Sequence, residues 1–155
     1  MKLFHGSNII IEDIDLSKSK PFKDFGTGFY LSDIESQAQE MANFKVSIFE
    51  GEPMVTAFEF DKETLLNANL KVLFFDDYSE EWLDFVISNR EGKATERYDF
   101  VYGPIANDKV GLQLRKFKDG TINKSELLER LKYMKGITFQ YFFGSYEAIK
   151  FLKRL

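Results

Sequence analysis

Cysteine is absent, histidine and tryptophan occur once each, and only three of 155 residues are proline. Without cysteine there is neither a disulfide framework nor a thiolate nucleophile, and one histidine excludes most all-protein zinc sites, so no metal is expected. No stretch approaches the roughly 18 to 20 apolar residues of a membrane span. The opening "MKLFHGSNIIIED" turns acidic too soon for a secretory signal. The expectation is a soluble, cytoplasmic protein with no membrane partner. Nucleotide-binding fingerprints are missing too: "GTGF" is not GxGxxG, and GxxxxGK[ST] does not occur.

What the chain does have is aromatic mass and uneven charge. Seventeen phenylalanines argue for a packed core over disorder, and the length fits one domain over residues 1–155. The formal net charge of -4 divides into -11 over residues 1–108 and +7 over residues 109–155. Either the two parts neutralise each other across one fold, or the basic segment offers a strip to an anionic ligand.

"KLFHG" reads as a first strand with His5 at its exit. After the polar loop "SKSKPFKD", Gly26 and Gly28 precede a second short strand, "GFYLS". Ser32 and Glu35 then stand in capping-box spacing ahead of a helix over about 33–45, with Ile34, Ala38, Met41 and Ala42 on its inner side. "MVTAFEFD" and "LKVLFFD" read as strands, and "YSEEWLDFVISNR" as a helix capped by Ser79 with Trp82, Phe85, Val86 and Asn89 on one side. "YDFVYGPIAND" reads as a buried strand, and "VGLQLRKF" as a strand or short helix. Asn123 and Glu126 cap a further helix, "ITFQYFF" is a strand, and "SYEAIKFLKRL" a closing helix. Strands interrupted irregularly by helices predict an α+β domain on a mixed or antiparallel sheet rather than a doubly wound one.

Three pieces carry chemistry in combination. "FHGS" places His5 and Ser7 around Gly6, whose backbone can approach a planar amide. "GTGFYLS" sets Phe29, Tyr30 and Ser32 after a flexible turn. "FQYFF" carries Gln140 on a late strand. Singly, a lone histidine is more often structural and a strand tyrosine is usually packing.

In this order they resemble the ADP-ribosyltransferase superfamily, in its diphtheria-toxin and poly-ADP-ribose-polymerase branch, whose motif is His, Tyr and Glu on three strands. Over nearly its full length the chain resembles a bacterial family of small uncharacterised proteins of that superfamily, through "FHGS", "DFGTGFYLS", "EWLDFVISNR", "YDFVYGPIAND" and a final Q-x-x-F strand. The resemblance implies a split, mixed or antiparallel sheet with flanking helices and NAD as substrate. It implies a catalytic set of His5, Tyr30 and Gln140, and NAD contacts from His5, Gly6, Ser7, Gly26, Gly28, Phe29, Tyr30 and Ser32. The implied acceptor is a macromolecule, protein before nucleic acid, and the implied setting a bacterial toxin or effector with a small antitoxin-like protein as partner.

Cleavage of the nicotinamide–ribose bond passes through an oxocarbenium-like state. Such a site must hold the amide of the leaving ring, stack on its cationic face and stabilise charge at the ribose. Gly6 suits the amide, Tyr30 the stacking and His5 a ribose hydroxyl. The third motif departs from the pattern: Gln140 stands where the family keeps glutamate, and a neutral amide supplies no negative charge and no base. Glu147 lies seven residues on in the sequence, and Asp99 and Asp108, flanking "FVYGPIAN", would substitute only if the fold brings them near. The alternative is therefore a non-catalytic NAD pocket or protein-interaction module. Arg90 is open to either phosphate pairing or complementing its helix dipole.

Overall fold

A computed structural model describes residues 1–155. In chain order the elements are β1 (Lys2–Ser7), β2 (Phe29–Leu31), α1 (Glu35–Ile48), β3 (Met54–Phe60), α2 (Lys62–Asn67), β4 (Val72–Phe74) and α3 (Glu80–Arg90). They continue with β5 (Phe100–Pro104), α4 (Asp108–Lys118), α5 (Lys124–Lys132), β6 (Phe139–Phe143), α6 (Tyr146–Ile149) and β7 (Leu152–Arg154). The strands form two sheets, ordered β1-β3-β7 and β2-β6-β5-β4. All pairings are antiparallel except β4 with β5. This is an α+β domain on mixed and antiparallel sheets.

The two sheets meet at one isolated bridge, where Phe4 and Ser32 exchange backbone hydrogen bonds of 2.7 and 2.9 Å. No ladder continues past it, so β1 and β2 part company there. One core lies between the sheets and is built from Leu3, Phe29, Leu31, Phe58, Phe60, Phe100, Tyr141 and Phe143. The second covers the opposite face of the larger sheet, where Phe142 and Val101 pack under Trp82, Val86, Val110 and Leu127 from the helices. Period-two alternation along β2 and β6 sends Phe29, Leu31, Tyr141 and Phe143 to the first core and Tyr30 and Phe142 to the second.

Several local expectations take a different form. The Ser32–Glu35 capping box is not made: Ser32 Oγ instead donates to Gln37 Oε1 at 2.9 Å and accepts from Ile34 N–H at 3.0 Å, leaving Ile34 as the N-cap. Only Ala38 and Ala42 of the expected inner stripe are buried. Ile34 and Met41 are 40% and 49% exposed, because α1 presents its small residues to β1. "VGLQLRKF" lies within helix α4, whose cap is Asn107. The closing helix stops at Ile149, and Leu152–Arg154 pairs with β3 as an edge strand. Elsewhere the caps are as read: Ser79 accepts from Trp82 N–H, and Asn123 with Glu126 forms the reciprocal box.

Candidate functional site

Where β1 and β2 separate, the ring of His5 takes the place of a ladder bond. Its Nδ1 lies 2.7 Å from the carbonyl oxygen of Tyr30, and its ring stacks on Phe29 with centroids 4.3 Å apart. A carbonyl can only accept, so Nδ1 carries the proton and donates. Nε2 is then a bare acceptor; it makes no bond within the protein and is not sealed from solvent. Burial and the ammonium groups of Lys45 and Lys23 hold the His5 pKa down at about 4. The imidazole is therefore neutral at physiological pH and bound to one tautomer.

Gly6 follows, and glycine is required there by packing. A Cβ at this position would run into the carbonyl oxygen of Ala38, because α1 lies directly against β1. The Gly6 carbonyl accepts a 2.8 Å hydrogen bond from Lys45 Nζ, so a ligand amide would have to share that oxygen. Ser7 is buried and its hydroxyl reaches only Asn8, at 3.4 Å. Ser32 is likewise buried and occupied at the start of α1.

Tyr30 differs from an open stacking platform. Its ring packs with Phe25 and Phe142 in the second core, on the face of β2 opposite the Phe29 that supports His5. Its hydroxyl donates to Gly26 O at 2.6 Å and accepts from Phe25 N–H at 3.0 Å, and burial raises its pKa. Tyr30 is thus the pin that folds the preceding loop, with Lys23 Nζ 5.1 Å above its ring. Tyr30→Phe is expected to cost about 1 kcal/mol and to speed amide exchange over residues 23–28, measurable by hydrogen–deuterium exchange. Unchanged exchange there would reject the pin.

The two loop glycines serve different ends. Gly26 adopts φ +101°, a conformation that favours glycine. Gly28 is needed because a Cβ would enter the ring of Phe142 and the carbonyl of Phe143 on β6. Arg90 is committed to this loop: its Nε donates to Asp24 Oδ1 at 2.6 Å, and Asn89 Nδ2 donates to Asp24 O at 3.2 Å.

Gln140 lies on the same face of the larger sheet as Tyr30, two residues before Phe142 and opposite Gly103 of β5. Its Nε2 is buried and has no hydrogen-bond partner. The candidate carboxylates do not reach it. Asp99 accepts from Lys71 N–H beyond the Phe100–Phe143 end of the strands, and Glu147 pairs with Lys150 on α6. Asp108 opens α4 past Pro104. The carboxylate that sequence reading overlooked is Asp33: with burial, it pushes up the pKa of Tyr102 and Tyr141, on the strand faces away from Gln140. Nothing in its local sequence marks it.

The structure therefore joins His5, Gly6, Phe29 and the Tyr30 backbone at the mouth between the sheets, while the Tyr30 ring and Gln140 belong to the other face. Two surface depressions, of about 330 Å³ beside Tyr78 and Leu128 and about 470 Å³ beside Phe60 and Lys62, lie away from it. The sequence profile of the family described as "Protein of unknown function (DUF3990)" matches residues 1–154. No curated protein and no solved structure matches the chain.

Proposed function

The chain belongs to that family of unknown function, and from the geometry of the mouth we propose that it is an NAD-binding, ADP-ribosyltransferase-like protein. The observation that carries this reading is the neutral His5, fixed through Nδ1–H to the Tyr30 carbonyl with Nε2 left as a free acceptor where the sheets divide. Such an acceptor suits a sugar hydroxyl. The resemblance of "FHGS" and "GTGFYLS" to the transferase motifs supplies the identity of the sugar. In this reading the acceptor for ADP-ribose is a macromolecule, protein before nucleic acid. The setting is a cytoplasmic bacterial toxin or effector, with a small antitoxin-like protein as its neutraliser.

A second reading, an NAD pocket or protein-interaction module without turnover, is favoured by Gln140. Its side chain supplies no charge to an oxocarbenium and lies on the sheet face away from His5. An orphaned buried donor at Gln140 Nε2 costs about 1 to 3 kcal/mol. Because Gln140 lies on the face of the larger sheet away from His5, Gln140→Leu is expected to leave the free protein at least as stable and NAD binding at the mouth unchanged. Gln140→Glu places its charge on that same far face and is expected to leave nicotinamide release at saturating NAD unchanged; a rise would instead put position 140 at the reacting ribose. Calorimetric binding and timed release of nicotinamide from the wild type and both variants decide the matter. No NAD binding by any of the three rejects the NAD reading. Nicotinamide release by the wild type rejects the module and assigns the chemistry to a carboxylate elsewhere or to the acceptor.

A further inference from the structure

Three lysines gather around the mouth, and none of them enters a salt bridge. Lys45 projects from α1 onto the Gly6 carbonyl at 2.8 Å. Lys23 and Lys20 come from the loop before β2, with ammonium groups 5.1 Å from the ring centroid of Tyr30 and 4.6 Å from that of Phe49. They lie within electrostatic range of one another, and two of them of His5: Lys45 is held down to a pKa of about 8 by burial, Lys23 and Lys20, and His5 feels Lys45 and Lys23. The acid nearest to them in the chain, Asp24, is bound to Arg90.

The loop bearing two of these lysines is built rather than slack. Phe22 sits in the left-handed region at φ +65° with its ring against Gly92, Asp24 is clasped by Asn89 and Arg90, and Gly28 N–H donates to Ser19 Oγ at 2.9 Å. Three like charges held together repel one another, Asp24 offsetting only part of this at Lys23, and an entering anion recovers that cost. Aromatic rings beneath two of them leave the ammonium groups free to donate outward.

We propose that Lys20, Lys23 and Lys45 form a subsite for the diphosphate of a dinucleotide, placed so that an attached sugar reaches His5 Nε2. The inference rests on the NAD reading for the identity of the ligand, and on the lysines alone for its diphosphate. The diphosphate of a dinucleotide bears two negative charges and enough oxygens to accept from three separate ammonium groups, which a carboxylate does not.

The test is titration calorimetry at pH 7 with inorganic pyrophosphate, ADP-ribose and NAD, on the wild type, Lys20→Gln/Lys23→Gln, Lys45→Met and Lys45→Arg, each checked by thermal unfolding. Loss of a charge-assisted hydrogen bond corresponds to roughly ten- to a hundredfold in affinity. ADP-ribose should weaken by that factor in the double variant and in Lys45→Met, and by less in Lys45→Arg. Should Lys45→Met fail to fold, the double variant, whose lysines are at the surface, decides. Lysine-dependent binding of pyrophosphate and ADP-ribose with no binding of NAD keeps the subsite and rejects the nicotinamide reading. NAD binding indifferent to all the lysine variants keeps that reading and overturns the subsite. Binding of neither pyrophosphate nor ADP-ribose to the wild type overturns it as well. So does a single-stranded oligonucleotide that binds through these lysines while ADP-ribose neither binds nor competes.

Discussion

Replacing Trp82 by alanine is expected to lower the unfolding free energy by about 3 to 5 kcal/mol, the largest effect of any single substitution considered for this protein. Trp82 is fully buried in the core beneath α3 and meets Tyr78 edge to face with centroids 4.9 Å apart. Its indole Nε1–H donates to the carbonyl of Pro104 at 3.1 Å. Truncation leaves a cavity and also a buried carbonyl without its donor, and these two costs add. Pro104 ends β5 opposite Phe139 of β6, so the lost bond also loosens the strand end next to Gln140. Chemical denaturation of the two proteins checks the magnitude. A loss below about 1 kcal/mol would mean that α3 does not anchor the sheet.

Acid is expected to destabilise the fold through His5 before the carboxylates contribute. Its pKa falls from an ordinary 6.5 to about 4 in the folded protein, first through burial and then through Lys45 and Lys23. The unfolded chain therefore binds a proton between these values that the folded chain refuses. Stability from this group is complete above about pH 6.5 and is lost as pH falls toward about 4. A shift of that size corresponds to about 3 kcal/mol. Asp15, Asp61 and Glu96, whose pKa values are lowered by hydrogen bonds from Ser17, Thr64 and Tyr98, lose their contribution only at lower pH.

At the other end of the scale Lys45, lowered to about 8, has the same sign: stability rises as pH climbs from about 8 toward 10.5. Denaturation curves across pH 4 to 7 for the wild type and His5→Gln separate the histidine from everything else. The wild type should show the acid slope and the variant should not. Equal slopes would place the acid sensitivity elsewhere and would undo the neutral, single-tautomer imidazole on which the functional reading depends.

Much of the local structure is determined by residue chemistry alone. Alternating aromatics define β3 and β6, Ser79 and Asn123 mark two helix starts by offering oxygens to unsatisfied N–H groups, and Gly26 marks a turn that demands positive φ. The α+β character follows from the irregular order of such elements, and His5 and Gly6 stand out as an isolated histidine beside a glycine, although β1 runs on through both to Ser7 instead of ending there. Tertiary structure decided the rest, since it depends on which backbone approaches which. Gly6 and Gly28 are glycine because α1 and β6 come too close for a Cβ. Tyr30 pins a loop because alternation along a three-residue strand turns it away from His5, a phase that one bridge at Phe4–Ser32 sets. Most of all, the sequence puts its positive charge in residues 109–155, yet there Lys124 is spent on Glu80 and Asp84, and Lys132 and Lys150 on glutamates of their own helices. Lys109, Lys116, Lys118 and Lys135 of the same segment enter no salt bridge, but Lys20, Lys23 and Lys45 come from the acidic part of the chain and only folding brings them together, because electrostatic proximity depends on distance in space and not on position along the chain.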